Sequence, residues 1–155
     1  MFTHVDSKLQ PTMVDVGNKP TSSRSATARC LLILPAEVLA HLDGGDIQSK
    51  KGPVFATAII AGTMAAKKCW DLIPFCHPLP IDACKITIDF TSDEQLEIKA
   101  CIKTNHKTGV EMEALTAVSI ASLTIYDMCK AMSHDIVIRQ TELVCKSGGK
   151  RDVHR

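Results

Sequence analysis

The chain reads as an α+β domain of ferredoxin-like type, a four-stranded antiparallel sheet with helices on one face in the order β-α-α-β-β-α-β. Three observations predict it. Residues 84–90 and 96–102 alternate apolar and polar (Cys84, Ile86, Ile88, Phe90, then Leu96, Ile98, Ala100, Ile102) on either side of Ser92-Asp93-Glu94, the pattern of a hairpin. Residues 110–131 contain no Pro or Gly, and Val110, Ala114, Ala117, Val118, Ala121, Ile125 and Met128 fall on one apolar arc at about 100° per residue. Strand-like stretches at 25–34 and 135–146 flank the whole, and a second Ala-rich helical stretch at 54–70 precedes the hairpin.

Residues 1–24 lack sustained periodicity and are rich in polar residues, Pro and Gly, which predicts an extended arm; its apolar Met13-Val14-Asp15-Val16 suggests that part of it docks. Ser25 to Leu34 alternates through Ala26, Ala28, Cys30, Leu32 and Leu34, a strand that turns wholly apolar at its end. Pro35 opens a short helix to about Leu42, broken by Asp43-Gly44-Gly45-Asp46. The helix at 54–70 carries Gly62 among alanines, which allows another backbone to come close, and Pro74, Pro78 and Pro80 prevent its continuation. The helix from 110 places Glu111 and Glu113 in its first turn and Lys130 in its last, both suited to the helix dipole. Its second surface interleaves Met112, Leu115, Ile120, Leu123, Tyr126 and Cys129 with polar residues, so burial on both sides is expected, against the sheet and against a second helix or subunit. The strand at 135–146 shifts its apolar phase between Ile136/Ile138 and Leu143/Cys145, which suggests a bulge. The division expected is therefore an arm at 1–24, a single catalytic domain at 25–146 and a flexible basic tail at 147–155.

With 155 residues, 45% apolar and 23% charged, the chain is one ordinary globular domain, and a net charge of +1 points to neither nucleic acid nor membrane. The longest apolar stretch, 54–66, is too short to span a bilayer, and no secretory leader is visible. Seven cysteines, at 30, 69, 76, 84, 101, 129 and 145, show no CxxC and no zinc-site spacing, so reduced thiols in a cytoplasmic protein are expected.

Four places hold polar groups that the fold alone does not ask for. Asp127 and Lys130, at i and i+3, can meet on the helix surface amid Leu123, Tyr126 and Cys129, which suggests a shielded pair. Glu111 and Glu113 complement the dipole and are free to do more. His77 is held between Cys76 and Pro78 in a rigid turn. Lys51, Lys107, Lys146 and Lys150 each lie beside Gly or a turn, where a loop can bring a cation and backbone N–H groups to a phosphate. Fourteen residues separate Glu113 from Asp127, about 21 Å along a helix, so one small substrate touches both only in a site assembled across subunits.

Met13-Val14-Asp15-Val16, Lys51-Gly52, the run Asp71 to Leu79, the run Lys107 to Thr116, the run Thr124 to Ala131 and Lys146-Ser147-Gly148-Gly149-Lys150 together resemble the cyclic pyranopterin monophosphate synthase family, the molybdenum-cofactor biosynthesis protein C family, over residues 13–150. The resemblance implies a ferredoxin-like lyase that converts a cyclised dihydro-GTP, made by a radical S-adenosylmethionine partner, into cyclic pyranopterin monophosphate with release of pyrophosphate. It implies hexamers built as trimers of dimers with sites at the dimer interface. Carried over by residue, it places the acid/base aspartate at Asp127 beside Lys130, substrate contacts at Phe75, Cys76, His77, Met112 and Glu113, pocket residues at Lys51, Lys146 and Glu111, and an arginine of the arm at Arg24. On this basis Asp127 and a lysine of burial-lowered pKa are expected to move protons, and Lys51, Lys146 and Arg24 to neutralise the triphosphate. Neither metal nor cofactor enters this reading. Asn105-His106, Pro53 and residues 151–155 depart from the family pattern.

Three rival readings are weaker. A non-catalytic small-ligand-binding ferredoxin-like domain has no need of the Asp127/Lys130 and Glu111/Glu113 groups. A metal-dependent cyclohydrolase needs a ligand set that the histidines at 4, 41, 77, 106, 134 and 154 do not form. RNA binding on the sheet needs an aromatic pair that neither hairpin strand carries.

Overall fold

The computed structural model describes residues 5–155; the first four residues of the expected arm, His4 among them, lie outside the described residues. In chain order the elements are β1 (Ser22–Ile33), α1 (Ala36–Leu39), β2 (Leu42–Asp43), β3 (Asp46–Ser49), β4 (Gly52–Pro53), α2 (Val54–Lys67), α3 (Cys69–Leu72), β5 (Ala83–Phe90), β6 (Gln95–His106), α4 (Glu111–Cys129), β7 (Val137–Ser147) and β8 (Val153–His154). The main sheet has the order β5-β6-β1-β7-β8, and its pairings are antiparallel throughout.

Alternation along the strands separates the two faces of this sheet. Ala26, Ala28, Cys30 and Leu32 of β1 and Leu96, Ile98, Ala100 and Ile102 of β6 are fully buried beneath α4. Ala28 sits opposite Ala100 in the register, and small side chains at this centre let the helix lie close to the strands. The opposite face is charged: Arg29 reaches Glu142 on β7 at 2.6 Å and Glu97 on β6 at 3.4 Å, and Glu97 also pairs with Lys99 at 2.8 Å. Like the sequence reading, the structure is α+β with its long helices on one face. Register shifts between Thr27 and Ala28 and between Leu31 and Leu32 mark irregularities in the β1–β7 pairing, where the apolar phase of β7 changes.

Two corrections to the expected sheet follow from short elements. The sheet has five strands rather than four, because Val153–His154 fold back onto Cys145–Lys146. Gly148 makes the reversal, with φ +84° and its Cα against the Ser23 carbonyl, where a side chain would collide. The second correction lies at 42–53, where a three-stranded ribbon β2-β3-β4 stands in place of a simple helix break. Strands of two to four residues are too short to show a periodicity. Asp46 of that ribbon accepts hydrogen bonds from the Phe55 and Ala56 N–H groups at 2.7 and 3.0 Å, so a carboxylate satisfies the start of α2 and ties the ribbon to it.

α4 packs on β1, β6 and β7 and along α2, while α2 also covers β5. Gly62 is the point of closest approach: a Cβ there would lie 2.7 Å from Ile86 Cδ1 and 2.8 Å from the Ala117 carbonyl oxygen. The second surface of α4 is buried in part, as expected, against a second helix: Cys129 is fully buried and Leu115, Ile120 and Tyr126 are half-buried, while Leu123 (53%) and Met112 (38%) stay exposed within this chain. No described helix is long and apolar enough to cross a membrane.

Gly62→Val is expected to force α2 off α4 and to destabilise the fold by about 1–3 kcal/mol, read as a lower urea midpoint with an unchanged slope.

Candidate active site

The two ends of α4 carry two different polar clusters. At the C-terminal end, Asp127 receives Lys51 Nζ on Oδ2 at 2.6 Å and Lys130 Nζ on Oδ1 at 2.7 Å. Lys130 comes from the same helix surface at i+3, but Lys51 arrives from the ribbon, 76 residues away in sequence. Ser49 Oγ shapes its turn by accepting from the Lys51 N–H at 3.1 Å and donating to the Gly52 carbonyl at 2.9 Å. Lys51 Nζ also donates to the Asp127 carbonyl at 3.3 Å. The triad forms one wall of a cavity of about 670 Å³ whose other walls include His41, Gln48 and Met132.

At the N-terminal end, the prolines of 74–80 hold a loop that is pinned to β6 by Thr104 Oγ1 donating to the Pro80 carbonyl at 2.6 Å and by the Asp82 N–H on the Lys103 carbonyl at 2.9 Å. That loop presents Phe75, Cys76 and His77 to a cavity of about 270 Å³, facing Glu111 and Met112 of the first turn of α4. The arm docks here as its apolar residues suggest: Val14 and Val16 line the cavity, and the Val14 carbonyl lies 2.8 Å from His77 Nε2. Glu113, 3% exposed, accepts the Cys76 thiol at 3.6 Å through Oε1, while its Oε2 is buried with no partner among the described residues. Lys146 of β7 pairs with Glu111 at 2.6 Å. Arg24 lies within β1 rather than in the arm, since the strand begins at Ser22, and its Nε donates to the His106 carbonyl at 3.0 Å.

The electrostatics of the two clusters are opposite. Hydrogen bonds from Lys130 and then Lys51 hold the Asp127 carboxyl down to about 2, and Asp127 in turn raises Lys130. Burial raises Glu113, and burial followed by the Glu113 charge pushes the Cys76 thiol far above its usual range. One expectation is corrected here. The Asp127/Lys130 pair is not shielded within one chain but about half exposed, because Leu123 points largely to solvent and Tyr126 and Cys129 pack on the core instead. The lysine of lowered pKa, which the sequence left unassigned, is not Lys130, because an ion pair at 2.7 Å outweighs slight desolvation.

The chain therefore gathers Lys51, Asp127 and Lys130 at one end of α4 and Phe75, Cys76, His77, Met112, Glu111, Glu113 and Lys146 at the other, about 21 Å apart along the axis. One chain does not join the two groups. Spacing missed one convergence: Cys69, at the start of α3, lies 3.8 Å from Cys76 through their sulfurs and 3.3 Å from Thr116 Oγ1. The only signal for it is the Pro74 turn between the two cysteines.

Comparison with known proteins adds the following. The MoaC family model matches residues 13–149. A "Cyclic pyranopterin monophosphate synthase" of Xanthomonas axonopodis pv. citri is 54% identical over 152 residues, covering 98% of this chain and 92% of that protein. A protein of the same name from Brevibacillus brevis is 48% identical over 155 residues, covering 99% and 96%. A "Molybdenum cofactor biosynthesis bifunctional protein" of Synechocystis sp. is 55% identical over 157 residues, covering 99% of this chain and 45% of that one. With the family model spanning both α4 clusters and relatives aligned end to end, this chain belongs to the MoaC family.

Proposed function

We propose that the chain is a cyclic pyranopterin monophosphate synthase, a lyase of molybdenum-cofactor biosynthesis that converts a cyclised dihydro-GTP into cyclic pyranopterin monophosphate and pyrophosphate. The observation that carries this reading, within a chain of this family, is Asp127 gripped by two ammonium groups at 2.6 and 2.7 Å on the wall of a cavity of about 670 Å³. Asp127, Lys51 and Lys130 act as the catalytic groups, and Phe75, Cys76, His77, Glu111, Met112, Glu113, Lys146 and Arg24 bind substrate.

The chemistry follows from the triad's charges. Asp127 is a carboxylate at any physiological pH, and as long as both lysines hold it, it is a poor base. A triphosphate competes for the same two cations. As Lys51 and Lys130 turn to phosphate oxygens, Asp127 loses the groups that depress its pKa and becomes able to take a proton from the ring being rearranged. When a substrate hydroxyl attacks the α-phosphorus, its proton passes to solvent, its new P–O bond replaces the bond to pyrophosphate, and the ammonium groups stabilise the departing negative charge. The neutral, buried surroundings of Glu113 and Cys76 suit the uncharged pterin ring.

The exposed apolar face of α2 and α4, with Ile60 62% and Leu123 53% exposed, supports a two-fold pairing in which the triad of one protomer meets the His77 loop of its partner. This homodimer is the unit of a hexamer built as a trimer of dimers, working in the cytoplasm. The four long strands β5-β6-β1-β7, with α2 and α4 on one face, support the ferredoxin-like assignment, β8 being an addition at its edge.

Asp127→Asn is expected to lower turnover of the cyclised dihydro-GTP by more than about 100-fold with little change in KM, measured as pyrophosphate release; full turnover would remove the acid/base role. Carbon-detected titration of the free protein is expected to place the Asp127 carboxyl near about 2 and to move it toward its ordinary 3.8 in Lys51→Ala. By sign, the stabilisation from this depressed group is complete above 3.8 and fades as pH falls through about 2. Mixing inactive Asp127→Asn with inactive His77→Ala and reassembling the protomers is expected to recover about one quarter of wild-type turnover, because half the dimers then carry one intact site of two. No recovery from properly mixed dimers would mean that each site lies within one chain.

A further inference from the structure

The cluster at the N-terminal end of α4 has a property that pterin chemistry does not require. Three elements converge there: Cys69 from the start of α3, Cys76 from the proline-held loop and Glu113 from α4. Their ligand atoms all lie within 4.8 Å of one another. Two thiolates on a tetrahedral ion with bonds of about 2.3 Å stand about 3.8 Å apart, and a thiolate and a carboxylate oxygen on it stand about 3.6 Å apart. The Cys69–Cys76 sulfur separation is 3.8 Å, and the distance from Cys76 Sγ to Glu113 Oε1 is 3.6 Å. The two edges of the arrangement that meet at Cys76 thus have the lengths of a tetrahedral metal site.

A second, independent observation points the same way. Glu113 is 3% exposed and its Oε2 has no hydrogen-bond partner among the described residues, a costly condition for a carboxyl group in a protein interior. The pyrrolidine-stiffened loop and two helices hold the donors in place before any ion arrives. Thr116 Oγ1, 3.3 Å from Cys69 Sγ, supplies the outer hydrogen bond that a metal-bound thiolate uses. Access comes through Cys76, which is half-buried on the wall of the 270 Å³ cavity, and the same opening leaves a fourth coordination position for water.

We propose that Cys69, Cys76 and Glu113 form a binding site for a thiophilic divalent cation of the Zn²⁺ class, and that the bound ion excludes substrate from this half of the site. The two cysteines coordinate as thiolates, and their two protons pass to solvent. Glu113 completes the set, so that two sulfurs, one carboxylate oxygen and one water surround the ion. The exclusion follows because Cys76 and Glu113 cannot serve ion and pterin together; this second half rests on the synthase reading, whereas the binding itself does not. The device makes the enzyme sensitive to free zinc without making zinc part of its catalysis.

The test uses the full chain, reduced and freed of metal with EDTA, then gel-filtered. Titration with Co²⁺ is expected to give one ion per chain with thiolate-to-cobalt charge-transfer absorption and tetrahedral ligand-field bands, both abolished by added Zn²⁺. Cys69→Ala is expected to weaken binding by more than about 100-fold, since loss of an outer partner alone costs 10–100-fold. Cys69→Thr, which puts a hydroxyl in place of the thiol and so keeps a hydrogen-bonding group toward Thr116, repeats the test if the alanine variant folds poorly. Cys84→Ser is expected to bind as the parent does. In the turnover assay, Zn²⁺ is expected to inhibit the parent and to lose that effect in Cys69→Ala, whose metal-free turnover stays at the parental level. Absence of the cobalt bands, bands that survive loss of Cys69, or zinc inhibition that survives it would each overturn the proposal. A chain that shows the bands but never releases pyrophosphate keeps the metal site and sinks the synthase reading instead.

Discussion

The burial of α4 against two neighbours at once is the constraint on which the rest of the molecule depends. One side of the helix lies on the alanine-lined centre of β1 and β6, and another lies along α2 at the Gly62 contact. Nineteen residues held in this way form a rod about 28 Å long with no Gly or Pro at which to bend. Everything attached to its ends inherits fixed positions. Glu113 is carried inward at one end, Asp127 outward at the other, and nothing short of unfolding α4 brings them together.

The loops that complete the two clusters are held by the same economy of contacts. The ribbon that delivers Lys51 is anchored by Asp46, whose carboxylate satisfies two N–H groups at the start of α2. The Phe75–His77 loop is anchored by Thr104 of β6 and receives the arm through His77. Each anchor is a polar group that the regular elements would otherwise leave unsatisfied, so fold stability and site geometry share the same hydrogen bonds. The proline-held loop also explains why two cysteines from successive segments end 3.8 Å apart.

The clusters differ in electrostatic character because they differ in solvent contact. The Lys51–Asp127–Lys130 triad lies open, and its carboxylate is stabilised by cations rather than by burial. The Glu113–Cys76–Cys69 group lies inside, where burial favours the uncharged forms of all three. The difference in charge along one helix is thus a consequence of where the helix is covered and where it is not.

Sequence by itself determined the α+β class, the long helix and its apolar arc, the hairpin at 84–102 and the β7 irregularity, because each leaves a periodic trace of side chains over many residues. It also determined the residue types of the candidate site and, through runs such as Lys107 to Thr116 and Thr124 to Ala131, the family. Tertiary structure alone decided that Lys51 meets Asp127 across 76 residues, that Cys69 joins Cys76 and Glu113, that Arg24 sits in a strand, and that a ribbon and a fifth strand complete the sheets. It also decided that the Asp127 pair is half exposed within one protomer, which the surrounding apolar residues do not show. The physical reason is the same in each case. Local pattern records which face of an element seeks burial, whereas these contacts depend on how far apart in the chain two partners lie and on how much of that face one protomer has the means to cover.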